Sequence, residues 1–326
     1  MKAIVYHEYG TPEVLRCEEV EKPAPGVGEV LIRVRAASIN PLDWRMLSGR
    51  PYLGRLAFGL RRPKNRRPGV DVAGVVEAIG AGVKLFKPGD EVFGACRGSL
   101  AEYACAPESK LAAKPAGVTF EQAAAAPVAG LTALQGLRDK GRVKAGQKVL
   151  INGAAGGVGT FAVQIAKLYG AEVTGVCSTG NVELVQALGA AHVVDYTRED
   201  FTKSSERYDL IFDCFGHGSP AALRRVMKPE GVCVNIGGPH DPSTLDLLAV
   251  MLKPLVLSLF VSQSFVLFIA RANREDLRQL GELIETGKVE PFIGRRYALG
   301  QSAEALAHLE QGHARGKVVI NVGPDD

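Results

Sequence analysis

Residues 150 to 170, LINGAAGGVGTFAVQIAKLYG, set Gly153, Gly156 and Gly159 in a Gly-x-x-Gly-x-x-Gly series between a short apolar run and a helical pattern. A glycine-rich turn between a strand and a helix lets backbone N–H groups approach a phosphate and aims the positive end of the helix at it. Such a turn serves a phosphate-bearing cofactor, and the expected contacts run through Gly153, Ala155, Gly156, Gly157, Val158 and Gly159. The spacing departs from the commoner Gly-x-Gly-x-x-Gly, so glycines that merely tighten a buried turn stand as the alternative at this point.

The turn needs a strand before it and a helix after it. Lys148 to Asn152 reads as the strand, and the helix repeats its apolar face at Val158, Phe161, Ala162, Ile165, Ala166 and Tyr169, with Gly170 as its stop. From about residue 124 the chain alternates strands with helices: KVLIN, EVTGVC, a helix from Val182 to Leu188, HVVDY, YDLIFDCF, a helix from Pro220 to Met227, and GVCVNIGG. That alternation predicts an α/β unit with a doubly wound parallel sheet. Residues 1 to about 123 instead carry short strands between Gly/Pro turns (KAIVYH, EVLIRVRAA, VAGVVEAIG, DEVFGA, LAEYACA), which predicts a mostly antiparallel domain. After Ala270 an amphipathic helix, Glu275 to Glu285, and a strand, Lys317 to Val322, are expected to rejoin the first domain. The expected divisions are therefore 1–123, 124–270 and 271–326.

A length of 326 residues makes two domains the natural expectation, and 46% apolar with 23% charged residues is ordinary for a globular protein. A formal charge of +4 gives no case for nucleic acid. Six cysteines without a C-x-x-C pair fit reduced thiols in a cytoplasmic protein, and MKAIVYHEYG has no secretory pattern. The apolar stretch from Leu247 to Ala270 is broken by Lys253, Pro254 and Ser262-Gln263-Ser264, short of the roughly 20 uninterrupted apolar residues that span a bilayer. It reads as a buried helix or loop followed by a strand, Phe265 to Ala270, whose edge can pair with a second subunit, so a homodimer is expected. None of the eight tyrosines is followed by lysine four residues on, which excludes a short-chain reductase.

Taken together, SINPLDW (38 to 44), PGVDVAGVVEAIG (68 to 80), KPGDEVFG (87 to 94), LAEYA (100 to 104), GLTAL (130 to 134), the GAAGGVG turn and GHARGKVVI (312 to 320) resemble the medium-chain dehydrogenase/reductase superfamily. The resemblance spans the chain in order and is closest to the zinc-free quinone oxidoreductase branch, which includes zeta-crystallin and the reticulon-interacting reductases. It implies a GroES-like substrate domain, a Rossmann domain inserted after about residue 123, and an active site in the cleft between them. It further implies hydride transfer from NADPH to a small-molecule electron acceptor. A second implied reading, from relatives of another kind, is a low-turnover NADPH-binding adaptor that senses redox state or plays a structural part.

Zinc-dependent relatives hold their metal with two cysteines and a histidine, and by motif those places fall here on Asn40, Val70 and Val128. None is a usable ligand where a catalytic zinc wants three N or S donors. His308 and His313, five residues apart, share no helix face and read as surface histidines. Oxidising an alcohol calls for a metal to lower the pKa of a bound oxygen from roughly 16 toward 7. Quinones and carbonyl-conjugated alkenes delocalise the arriving charge themselves, so they are the expected acceptors.

An acidic residue closing the second strand would bind a ribose 2′-OH and repel a 2′-phosphate. EVTGVC ends instead in Ser178-Thr179-Gly180-Asn181, and the resemblance brings Tyr196 to the same place, which favours NADPH while leaving NADH open because no cation stands in this loop. Ser178 and Thr179 as simple helix caps are the structural alternative. Thr132, Gly237, Phe260, Arg315, Gly316 and Lys317 complete the implied cofactor contacts, with the basic groups of Arg315 and Lys317 expected near phosphates. Asn40 is expected to hydrogen-bond the nicotinamide or the acceptor oxygen. Asp43 is either catalytic or a charge suited to a helix start, and Tyr52 is a candidate proton donor. The basic run Arg61, Arg62, Lys64, Arg66, Arg67 reads as a solvated loop or as a rim that steers anionic acceptors.

Overall fold

The computed structural model describes residues 1–50, 52, 55–216, 219–237, 262–312 and 314–323, with the backbone alone at 57. Two units emerge: Met1–Leu131 together with Ala272–Asp326, and Thr132–Arg271. In chain order the strands are β1 (Lys2–Val5), β2 (Arg16–Glu19), β3 (Glu29–Ile39), β4 (Asp71–Ile79), β5 (Glu91–Ala95), β6 (Tyr103–Pro107), β7 (Leu111–Ala113), β8 (Lys148–Asn152), β9 (Glu172–Cys177), β10 (His192–Asp195), β11 (Tyr208–Asp213), β12 (Met227–Asn235), β13 (Ser264–Leu267), β14 (Ile293–Ala298) and β15 (Lys317–Asn321).

In the first unit, β3 is the long central strand. It pairs antiparallel with β4 along one edge, and along the other with β6 over its first half and β15 over its last four residues. The sheet runs β14-β15-β3-β4-β5-β7, and its one parallel pair is β14 with β15. Alternation puts Val30, Ile32 and Val34 into one apolar cluster with Val72, Val76, Val92 and Leu111. A second cluster joins Ile4, Tyr6, Ile39, Leu47, Leu306 and Ile320. Antiparallel pairing means that the end of β3 meets the starts of both β4 and β15: Ser38 faces Asp71, and Ile39 faces Val318. This register brings polar residues from three distant stretches of sequence to one point.

The second unit is a six-stranded parallel sheet in the order β10-β9-β8-β11-β12-β13, the doubly wound order 3-2-1-4-5-6. Val149, Leu150 and Ile151 of β8 are fully buried, as a strand covered on both faces must be. The helix Gly157–Leu168 buries Phe161, Ala162, Val163, Ile165 and Ala166, and Gly170 at φ +77° follows its end. Strand β13 begins and ends earlier than the Phe265 to Ala270 expected from the apolar run, and forms one edge of the sheet. Residues 247–261 of that apolar stretch lie outside the described residues. Among the described residues no helix is long and apolar enough to cross a membrane.

Candidate functional site

The turn after β8 is closed by its own backbone. The amides of Gly153 and Ala154 donate to Val176 O at 3.2 and 3.0 Å, and Gly156 N donates to Gly153 O at 3.1 Å. Gly153 sits at φ +81°, a left-handed conformation that costs a residue with a Cβ roughly 1 kcal/mol or more. A Cβ on Gly159 would lie 2.1 Å from Gly153 O, so the helix can lie against its own turn only with glycine there. Gly156, the N-cap, has no side chain with which to cap, and the first helical bond runs from Thr160 N to Gly156 O at 3.0 Å. The amides of Gly157, Val158 and Gly159 therefore precede the helical ladder, and with the helix dipole they form an anion cradle. Ala155, within the turn, is buried.

Beside the turn, Asn152, Asp213 and Asn235 stand in register across β8, β11 and β12. Asn152 Nδ2 donates to Asp213 Oδ1 at 2.9 Å, while Asp213 Oδ2 and Asn235 Oδ1 are buried with no hydrogen-bond partner. Two unpaired acceptors at the carboxyl ends of parallel strands, where the strand order reverses, suit N–H donors of a bound group. The cradle and this row together fit a dinucleotide. Gly237 adjoins the row: its amide donates to Asp213 O at 3.3 Å, and a Cβ there would meet Cys214 O at 2.4 Å. Thr132, in the helix Pro127–Gln135, is half-buried. Phe260 lies outside the described residues.

At the end of β9 the Ser178 hydroxyl accepts from Asn181 Nδ2 at 3.0 Å, and Thr179 Oγ donates to Asp195 Oδ2 at 2.5 Å. Neither hydroxyl caps a helix, which answers the capping alternative. Asp195, opposite Cys177 in the ladder, also accepts from Thr197 N and Oγ at 3.0 and 2.7 Å, and Arg198 Nε lies 3.5 Å from its Oδ2. The hydroxyls of Thr179 and Thr197 hold the Asp195 carboxyl below the usual carboxylate range. Tyr196 is exposed, and its amide is tied to Cys177 O at 3.0 Å. Asp195 and Arg198 were not among the expected site residues. Their signal was the DYTR stretch at the end of the third strand, which neighbours the second in this sheet order.

In the first unit two of the three positions expected to match zinc ligands, Asn40 and Val128, meet one carboxylate. Asp71 Oδ2 accepts from Ser38 Oγ at 2.7 Å and from Asn40 Nδ2 at 2.9 Å, and its Oδ1 accepts from Val128 N at 2.9 Å; Val70 precedes it in the chain. Lys317 Nζ donates to Asn40 Oδ1 at 2.6 Å, to Asp71 Oδ2 at 3.2 Å and to Ile39 O at 3.4 Å. Lys317 is 2% exposed and Asp71 0%. The expectation that Lys317 meets cofactor phosphates is thus corrected: its ammonium is committed to a buried ion pair, because β15 starts beside the end of β3. Asp71 was missed by residue-type reasoning, since a single aspartate in an apolar strand gives no spacing signal. The position was marked only by its place in the PGVDVAG segment.

Asp43 stands at the third position of the helix Pro41–Ser48, where its Oδ2 accepts from Asn40 N at 2.8 Å and its Oδ1 from Gly69 N at 3.1 Å. Both oxygens serve backbone amides, one half of a capping box, while the Asn40 side chain turns to Lys317 and Asp71 rather than to the helix. Tyr52 is exposed, with the Arg55 and Arg50 guanidiniums 4.8 and 5.9 Å from its ring centre. Arg315 is exposed over the Phe292 ring at 5.5 Å, and Gly316, at φ +65°, lets the chain pass Phe292. Among the described residues no group of three His, Cys, Asp or Glu side chains is placed to hold a metal ion.

Comparison with known proteins matches residues 26–116 to an alcohol dehydrogenase GroES-like domain profile and residues 188–320 to a zinc-binding dehydrogenase profile. The chain is 35% identical to 2-methylene-furan-3-one reductase of Solanum lycopersicum, over 99% of this chain and 80% of the relative. It is 35% identical to the chloroplastic NADPH-dependent alkenal/one oxidoreductase of Arabidopsis thaliana, over 98% of this chain and 79% of the relative. Its fold matches the Escherichia coli quinone oxidoreductase complexed with NADPH at a TM-score of 0.85 and 26% identity, over 99% of this chain and 100% of that one.

Proposed function

We propose that this chain, which belongs to the medium-chain dehydrogenase/reductase superfamily, is a zinc-independent reductase that passes hydride from NADPH to a quinone or a carbonyl-conjugated alkene. The observation that carries the reading is the donor set at the metal-equivalent positions. Val70 and Val128 bring no metal-binding side chain, and the Asn40 amide is held by an ammonium and a carboxylate. A zinc ion does not fit beside the Lys317 ammonium in such a set. We assign the unit Met1–Leu131 with Ala272–Asp326 to the substrate domain and the unit Thr132–Arg271 to the cofactor domain.

Bound NADPH would supply the hydride, two electrons and one proton, and would leave as NADP⁺; a proton from water completes the reduced acceptor. The protein's share is binding and orientation. The amides of Gly157, Val158 and Gly159 hold the pyrophosphate, and Asp213 and Asn235 offer acceptors to N–H groups of the cofactor. Ser178 and Tyr196 present hydroxyls to the 2′-phosphate, and Arg198 supplies the cation missing from the loop after β9. Asp195 carries a charge opposed to that phosphate, but its two oxygens are occupied by Thr179, Thr197 and Arg198. Asn40 directs its second Nδ2 proton to the acceptor oxygen.

A homodimeric, cytoplasmic protein completes the proposal. Among the described residues β13 is an edge of the parallel sheet, with Leu267 51% exposed and Ile269 just beyond the strand 83% exposed, a surface suited to a second copy, and all six cysteines are free thiols. The test is NADPH titration followed by steady-state NADPH oxidation with a panel of quinones and enones. Acceptor-dependent turnover is expected; tight binding with none would assign the chain to the adaptor class instead.

A further inference from the structure

The buried ion pair of Lys317 and Asp71 has no part in cofactor binding as described above, yet it encloses Asn40. Both members start strands that flank the end of β3, and both reach the carboxamide: Lys317 Nζ to Oδ1 at 2.6 Å, Asp71 Oδ2 to Nδ2 at 2.9 Å. One amide proton is thereby consumed, and the carbonyl oxygen carries a cation. A positive charge on the oxygen of an amide draws electron density from its nitrogen and strengthens the remaining N–H as a donor. The flip of the carboxamide is also forbidden, because it would turn N–H protons onto the ammonium and the carbonyl onto the carboxylate. Ser38 and Val128 N fill the other sites on Asp71, so the carboxylate itself cannot turn away.

We propose that Lys317 and Asp71 are positioning residues that lock and polarise the Asn40 carboxamide, with the Lys317 ammonium as the resident cation at the place the zinc-dependent enzymes give to their metal. The inference rests on the proposed role of Asn40 as a donor to the acceptor oxygen. It makes the pair act on the reaction only through Asn40, and that is a measurable coupling.

The experiment is a cycle of Asn40→Ala with the charge-neutralised pair Lys317→Met/Asp71→Asn, read as kcat, NADPH affinity and, in the cofactor-free protein, solvent exchange of the Asn40 carboxamide protons by NMR. Asn40→Ala and the neutralised pair each lower kcat by about 10-fold or more, against the roughly 100- to 1,000-fold that loss of a preorganised oxyanion donor costs. NADPH affinity stays within about twofold. Combining them costs no more than Asn40→Ala alone, because coupled residues do not add. In the neutralised pair the Asn40 side-chain protons exchange at least about 10-fold faster than in the wild type. Wild-type kcat in the neutralised pair, full additivity with Asn40→Ala, or unchanged exchange would each overturn the inference while leaving the role of Asn40 intact. Wild-type kcat in Asn40→Ala would overturn that role and the inference with it. Should the neutralised pair lose its cooperative unfolding transition, Lys317→Arg carries the same comparison, since a planar guanidinium keeps the charge but not the single ammonium contact to Oδ1.

Discussion

Arg198 and Asp195 form a lopsided pair at the end of β10: Nε lies 3.5 Å from Oδ2, with the arginine side chain 76% exposed and the carboxylate 12%. The carboxylate is anchored by Thr179 and Thr197, while the guanidinium keeps most of its donors free for an incoming anion. Arg198→Ala is therefore expected to weaken NADPH by about 10-fold, the value of one charged hydrogen bond, and to leave NADH unchanged. Fluorescence titration with both cofactors checks it. Equal losses for the two would remove Arg198 from the 2′-phosphate.

The glycines of the turn divide into two kinds, and substitution separates them. A Cβ at Gly159 would stand 2.1 Å from Gly153 O, so Gly159→Ala should displace the helix from its turn, lower the melting temperature and abolish NADPH binding together. A Cβ at Gly156 meets only Gly153 O, at 3.4 Å, and its backbone at φ −79° suits any residue. Gly156→Ala should keep the wild-type melting temperature yet weaken NADPH at the mouth of the cradle. Unchanged NADPH affinity in Gly156→Ala, measured by calorimetry, would contradict the assignment of that mouth to the phosphates.

Burial, with a smaller contribution from the nearby Asp71 charge, pushes the Asp43 carboxyl up from 3.8 to about 7, against the pull of the two amides it accepts. The fold then keeps a proton that the unfolded chain has already released, so Asp43 lowers stability as pH rises from about 4 to about 7 and adds no slope above that. Urea midpoints across this range should fall more steeply in the wild type than in Asp43→Asn. Parallel curves would contradict the buried proton. Asp43→Ala, which strands the Asn40 and Gly69 amides, should cost about 2 kcal/mol near pH 4 and progressively less toward pH 7, because only the wild type loses stability over this range.

Local patterns carried the second unit almost entirely: the apolar runs of β8 and β9, the periodicity of the helix Gly157–Leu168 and the glycines between them each identify an element within a few residues. The anion cradle was legible for the same reason, being built from consecutive residues. Asn40, Val128 and Lys317 were marked only through family resemblance, and their meeting around Asp71 was not legible at all. Ser38, Asp71, Val128 and Lys317 meet through sheet register, and register is fixed by long-range pairing that no local spacing encodes. Lys317 illustrates the limit. Its type suggested a solvated or phosphate-binding charge, and only the antiparallel placement of β15 against β3 turns it inward. The same holds for Arg198, which joins the loop after β9 because β10 is that strand's neighbour.

In the proposed function, hydride passes from NADPH to a self-delocalising acceptor without a metal. The most direct measurement is turnover of metal-analysed protein after exhaustive chelation, with NADPH and a quinone or enone, beside NADP⁺ and a simple aliphatic alcohol. Undiminished reduction of the quinone or enone at substoichiometric zinc, with negligible alcohol oxidation, is the predicted result. Activity that chelation abolishes and zinc restores, or brisk oxidation of the alcohol, would contradict it.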